Sequence, residues 1–85
     1  MHVSVISAER SVFDGEAESV VAPAYDGQVG ILPRHAPFMT ILGEGLVKIS
    51  RSGGQSTQVE VAGGFLQVAS NVVRIVARRA NLANS

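Results

Sequence analysis

Residues 58–78 read Gln58-Val59-Glu60-Val61-Ala62-Gly63-Gly64-Phe65-Leu66-Gln67-Val68-Ala69-Ser70-Asn71-Val72-Val73-Arg74-Ile75-Val76-Ala77-Arg78. Val59 and Val61 alternate with Gln58 and Glu60, and Val73, Ile75 and Ala77 alternate with Val72, Arg74, Val76 and Arg78. A period of two marks strands that turn one face to a core. Gly63-Gly64 falls between two such runs and reads as a tight turn or bulge, or as a place where another backbone comes close. The same alternation recurs at Val3 and Val5 and at Val47 and Ile49. Turn signals lie between the runs at Asp14-Gly15, Asp26-Gly27, Gly43-Glu44-Gly45 and Ser52-Gly53-Gly54-Gln55. The pattern predicts strands near 2–7, 10–14, 16–23, 28–32, 38–42, 45–51, 56–62, 65–69 and 71–78. Val and Ile together number 18 against five Leu, a bias toward pleated, half-buried strands. The expectation is all-β: an antiparallel sandwich or barrel over 1–79. Residues 80–85 read as a frayed tail, because Ala80, Asn81, Leu82, Ala83 and Asn84 bring little β propensity.

Composition narrows the function. The 85 residues carry 7 Lys+Arg and 7 Asp+Glu, and no cysteine. Zero net charge argues against a nucleic-acid binder. The missing cysteines remove disulfides, thiolate nucleophiles and cysteine zinc sites. No apolar run approaches the ~18 residues of a membrane span, and the start lacks the pattern of a signal peptide. A cytosolic domain with no direct membrane insertion is expected. The charge is uneven: five acids and one base in residues 1–30, six bases and two acids in residues 31–85. Solvated strand faces explain this most simply; a dipolar surface that orients a partner is the sharper reading.

Catalytic signals are missing. The chain has no Gly-x-Ser-x-Gly elbow, no Gly-x-x-x-x-Gly-Lys-Ser/Thr loop and no acid pair suited to glycosidic chemistry. Its two histidines, His2 and His35, lie far apart in sequence with no metal-ligand spacing. No catalytic residue, cofactor or metal is therefore expected. The distinctive stretch is Tyr25-Asp26-Gly27-Gln28-Val29-Gly30-Ile31-Leu32-Pro33-Arg34-His35-Ala36-Pro37-Phe38. Its two prolines fix φ, remove two amide donors and push Leu32 and Ala36 to extended conformations. The result is a rigid, protruding corner, which on its own is also what a stiff crossover between sheets looks like.

Three motifs carry a family resemblance. Val5-Ile6-Ser7-Ala8-Glu9-Arg10 with Val12-Phe13-Asp14-Gly15, then Gly27-Gln28-Val29-Gly30-Ile31-Leu32-Pro33-Arg34-His35-Ala36-Pro37, then Ala62-Gly63-Gly64-Phe65-Leu66-Gln67-Val68 occur in that order across most of the chain. The chain thereby resembles the epsilon-subunit family of bacterial and chloroplast F-type ATP synthases. The resemblance implies a β-sandwich of two five-stranded sheets and a non-catalytic role in the rotating central stalk. It implies the gamma subunit and the c-ring as partners, and a peripheral location at the cytoplasmic face of the bacterial plasma membrane. By the same resemblance, Asp26, Gln28, Arg34 and His35 are ring-contact candidates, and Ser7, Gly63, Gly64 and Phe65 are candidates for contact with gamma. The family often carries an acid where Gln28 stands, which leaves Arg34 as the charged candidate for ring-loop carboxylates. Typical members continue into a C-terminal helical hairpin that restrains ATP hydrolysis. This sequence stops at Ser85, so no inhibition of that kind is expected from it. The competing readings are a freestanding sandwich that binds a small ligand, for which only Tyr25 and Phe38 offer aromatic platforms, and a small hydrolase, which the missing nucleophile opposes.

Overall fold

The computed structural model describes residues 1–83. Its strands are β1 (His2–Ile6), β2 (Ser11–Glu16), β3 (Ser19–Ala24), β4 (Gly27–Ile31), β5 (Phe38–Ile41), β6 (Glu44–Ser50), β7 (Ser56–Ala69) and β8 (Val72–Leu82). A short 3-10 turn, Ser52–Gly54, joins β6 to β7, and the described residues include no α-helix.

All the strands belong to one hydrogen-bonded sheet in the order β2-β1-β8-β7-β6-β3-β4, with β5 beside β7. The long strand β7 turns this single sheet into a sandwich. Residues 56–62 of β7 pair with β6, residues 65–68 pair with β5, and β8 runs along the other side of both halves. One five-stranded layer is β4, β3, β6 and residues 56–62 and 79–82 of β7 and β8. The other is β2, β1, residues 72–77 of β8, residues 64–69 of β7, and β5. Val3, Val5, Leu66, Val73 and Ile75 from the second layer meet Val20, Ile31, Val47, Ile49 and Val59 from the first in one buried cluster. The apolar face of each layer is thus covered by the other, as the alternation in sequence requires.

The two layers join along a fold line that crosses β7 and β8 and passes between β5 and β6. Inward residues of β7 are Val59 and Val61 before Gly63-Gly64, then Leu66 and Val68 after it. In β8 they are Val73, Ile75 and Ala77, then Ala80. Along β5 and β6 the sequence passes from Leu42 to Val47 and Ile49. The inward pattern slips by one residue at the same level along β7, along β8 and from β5 to β6, and the pairing register stays constant on both sides. Gly63 and Gly64 make the slip possible on β7, with φ of 71° and 108°, values costly for any residue with a Cβ.

Several expectations need correction. Gly63-Gly64 is not a turn between two strands: the predicted strands 56–62 and 65–69 are the two halves of β7. β8 continues to Leu82, so residues 80–82 lie in a strand rather than a tail, because residues 59–61 of β7 extend the ladder opposite them. Tertiary pairing overrides their weak propensity; Asn84 and Ser85 lie outside the described residues. The β1–β8 ladder is parallel, whereas the others are antiparallel. Strands so distant in sequence need no hairpin between them.

Candidate functional site

The corner between β4 and β5 leaves the sandwich at Ile31, which is buried, and re-enters it at the half-buried Phe38. Between them Leu32, Pro33, Arg34, Ala36 and Pro37 are exposed and His35 is half-buried. The His35 amide donates to the Leu32 carbonyl at 3.2 Å. Pro33 at the second position and Arg34 at φ 66° in the third make this a type II turn. Arg34 thus occupies a position that favours glycine. Its amide donates to Asn71 Oδ1 at 2.9 Å, across to the loop that joins β7 to β8.

The His35 ring is held from two sides. Its Nδ1 lies 2.7 Å from the Ala36 carbonyl, which makes Nδ1–H the donor. The ring sits against Phe38 with centroids 5.7 Å apart and planes tilted by 58°. Nε2 is left for an outside partner, and in the neutral ring it is an acceptor. The Arg34 guanidinium makes no salt bridge among the described residues, so it too is available to a carboxylate.

Asp26 and Gln28 occupy the other end of β4. Tyr25 and Asp26 form the two-residue loop closed by the Ala24–Gly27 pair, and both are exposed, as is Gln28. The Tyr25 amide donates to the Ile41 carbonyl at 3.2 Å, and Ala24 bridges to Leu42. This loop therefore lies near the fold line. At ~3.3 Å per residue, β4 separates it from the 32–37 corner by about 13 Å. The four ring-contact candidates form two pairs at the two ends of one edge strand.

Gly64 and Phe65 line one hollow with Ala8, the neighbour of Ser7 in the chain. The β1–β2 turn, where the Ser7 amide donates to the Arg10 carbonyl at 2.9 Å, lies beside the fold line. The apolar hollow there is lined by Ala8, Gly64, Phe65, Val76, Ala77 and Arg78. Gly63 lies under the Arg78 side chain. On the outer face, Ile41, Phe65, Val76 and Ile6 stand opposite one another on four adjacent strands. Ile41 is 62% exposed and Phe65 39%. With Ile6 and Val76 half-buried, this is a partly exposed apolar row across four strands, which suits protein contact.

Sequence reasoning missed the arginines around this hollow. Arg10, Arg78 and Arg79 line one cleft with Ser7 and Glu9, and none of the three forms a salt bridge among the described residues. The basic excess after residue 30 was the available signal, but it could not show that Arg10, from the acidic part of the chain, joins the same cleft. Elsewhere, His2 bridges Asp14 through Nε2 and Glu16 through Nδ1, the latter at 3.1 Å. Its hydrogen bonds to Glu16 first and Asp14 second hold its pKa above the usual histidine value. No group of three or more His, Cys, Asp or Glu among the described residues is placed to hold a metal ion.

Residues 1–83 match the family of the ATP synthase delta/epsilon chain β-sandwich domain. An ATP synthase epsilon chain from Nitrosococcus oceani is 45% identical over 83 residues, covering 98% of this chain and 59% of that one. Epsilon chain 1 of Methylococcus capsulatus is 44% identical over 80 residues, covering 94% of this chain and 57% of that one. The chain thus spans little more than half the length of these relatives. Among solved structures, a chain of the Euglena gracilis mitochondrial ATP synthase superposes with a TM-score of 0.87 at 22% identity, over 94% of this chain and 51% of that one. A chain from the Tetrahymena thermophila mitochondrial ATP synthase central stalk and c-ring does so with a TM-score of 0.76 at 20% identity, over 94% and 64%. At these identities the superpositions establish the shared fold.

Proposed function

Because the chain belongs to the ATP synthase delta/epsilon chain β-sandwich family, we propose that it is a non-catalytic part of the central stalk of a proton-translocating F-type ATP synthase. In this role it docks on the gamma subunit and the c-ring and helps couple proton flow to ATP synthesis. It reaches the membrane through the complex; no helix among the described residues is long and apolar enough to cross a membrane. The bacterial relatives support a place at the cytoplasmic face of the plasma membrane.

The observation that carries this reading beyond family membership is the exposed, braced corner at residues 32–37. Binding normally costs ordering entropy for every mobile side chain and loop. Here Pro33, the type II turn, the Arg34–Asn71 bond and the His35–Phe38 contact have already ordered the segment. A coupling element needs such preorganisation, because a contact that yields under load transmits no torque. The packed interior behind it is nearly incompressible. Arg34 and His35 offer hydrogen bonds to the polar loops of the ring. The apolar row that contains Phe65, with Ser7 and Gly63-Gly64 beside it, offers the contact for gamma.

The test uses the assembled ATP synthase in membrane vesicles, with Pro33→Gly or His35→Ala in this chain. ATP-driven proton pumping per ATP hydrolysed should fall for both variants while the purified chains remain folded. Unchanged pumping per ATP in both would remove the corner from the mechanism.

A further inference from the structure

We propose that Asn71 is a positioning residue for the 32–37 corner: its side-chain carbonyl captures the Arg34 amide and thereby fixes where Arg34 and His35 meet the partner. The proposal rests on the stalk reading and assigns part of its docking specificity to a residue outside the corner.

Asn71 is the second residue of the two-residue loop closed by the Ala69–Val72 pair. Ser70 and Asn71 have φ of 52° and 62°, which makes the loop a type I′ turn, where asparagine is tolerated better than most residues. The turn leaves the Asn71 side chain free to act elsewhere. Its Oδ1 accepts the Arg34 N–H at 2.9 Å, and its backbone carbonyl accepts the His2 N–H at 3.1 Å. One residue thus links the β7–β8 loop, the start of β1 and the corner.

The corner depends on this link. Among the described residues, the bonds that hold residues 32–37 are the turn bond from His35 to Leu32, the local bond from the His35 ring to Ala36, and the bond from Arg34 to Asn71. The first two shape the corner from within. Only the third ties it to a distant part of the chain, 37 residues away. Without it, the corner keeps its turn but pivots about Ile31 and Phe38. A partner then binds only the fraction of molecules whose corner points correctly, and apparent affinity falls by that fraction. Loss of one such hydrogen bond corresponds to a weakening of about three- to tenfold.

The experiment compares Asn71→Gly and Asn71→Asp in the full chain. Glycine keeps the turn geometry and loses the acceptor; aspartate keeps both. Two quantities are measured: exchange protection of the Arg34 amide by NMR, and affinity for detergent-solubilised c-ring and for the gamma subunit. N71G should lose Arg34 protection and bind the ring about three- to tenfold more weakly, with gamma binding unchanged. N71D should restore both the protection and the ring affinity. Persisting Arg34 protection in N71G overturns the tether, and wild-type ring affinity despite lost protection overturns its role in docking. An equal loss in N71D also overturns the assignment. If the unmodified chain binds neither the ring nor gamma, the stalk reading itself falls and takes the docking role with it. The amide measurement would still report on the tether.

Discussion

Substituting alanine for Gly64 should come close to abolishing the fold, whereas the same change one residue earlier should be tolerated. A Cβ on Gly64 would sit 1.9 Å from the Val76 carbonyl oxygen, 2.8 Å from the Ala77 Cα and 2.9 Å from the Val76 carbonyl carbon. All three are backbone atoms of β8, directly across the Gly64–Ala77 pair. No side chain can move aside to make room, so the two central strands must separate by more than an ångström where both layers join. The φ of 108° adds about 1–3 kcal/mol of backbone strain for a residue with a Cβ. Overpacking adds about 1–3 kcal/mol, and each ladder bond lost adds about 1 kcal/mol. The whole cost is roughly 3–8 kcal/mol, against a total stability of about 4–13 kcal/mol for a chain of this length. At Gly63, the Cβ would meet Arg78 Cδ at 2.9 Å, a flexible side-chain atom that can swing away, and the φ of 71° costs about 1–2 kcal/mol. Urea denaturation followed by circular dichroism on the wild type, Gly63→Ala and Gly64→Ala would separate the two. If both variants lie within about 1 kcal/mol of each other with unchanged m-values, the close approach of β7 to β8 does not govern the fold line.

Arg34→Gly should raise the melting temperature by a few degrees, since glycine relieves the positive φ of 66° for a net gain of up to about 1 kcal/mol; an unchanged or lower melting temperature would contradict the turn assignment. The same variant should weaken ring binding through loss of the guanidinium. His2 has its pKa raised by Glu16 and then by Asp14. Its contribution to stability is therefore fully present below the unfolded-state value near 6.5 and is lost as pH rises through the higher folded value. Urea midpoints across that interval should fall with pH in the wild type and lose this component in His2→Gln. The effect is small and salt-sensitive because the groups are exposed.

Strand positions were readable because burial alternates with period two within each layer: Val3 and Val5, Val47 and Ile49, and Val73 and Ile75 are all buried. The fold line was not readable, because a slip of one residue looks the same in sequence whether the chain reverses or bends. The distinction lies in which strands lie alongside. β7 keeps the same register with β8 on both sides of Gly63-Gly64, and no local pattern encodes that. The β1–β8 pairing escapes for the same reason, as do residues 80–82. At the candidate site, the prolines announced a stiff corner, and the structure braces it. They gave no hint of Asn71, which reaches Arg34 from 37 residues away, nor of the convergence of Arg10 with Arg78 and Arg79.

On the proposed stalk role, the placement of these groups bears on how a small domain links two larger partners. The Ser7 turn, Phe65 and the arginine cleft gather at the fold line. The braced corner stands at the far end of β4, tied to the loop between β7 and β8. A force applied at Arg34 and His35 passes through Asn71 into that loop, and from there along two hydrogen-bonded strands to Gly64 and Phe65. Those strands are the longest among the described residues, at 14 and 11 residues, and they belong to both layers. Strain at one end therefore cannot be absorbed by sliding one layer over the other, because the layers share the strands that carry it. A sandwich of two separate sheets joined by loops would shear at those loops. On the proposed stalk role, stiffness between the two candidate docking regions depends on the continuity of β7, so the glycine pair that bends β7 without breaking it serves the proposed coupling as well as the fold.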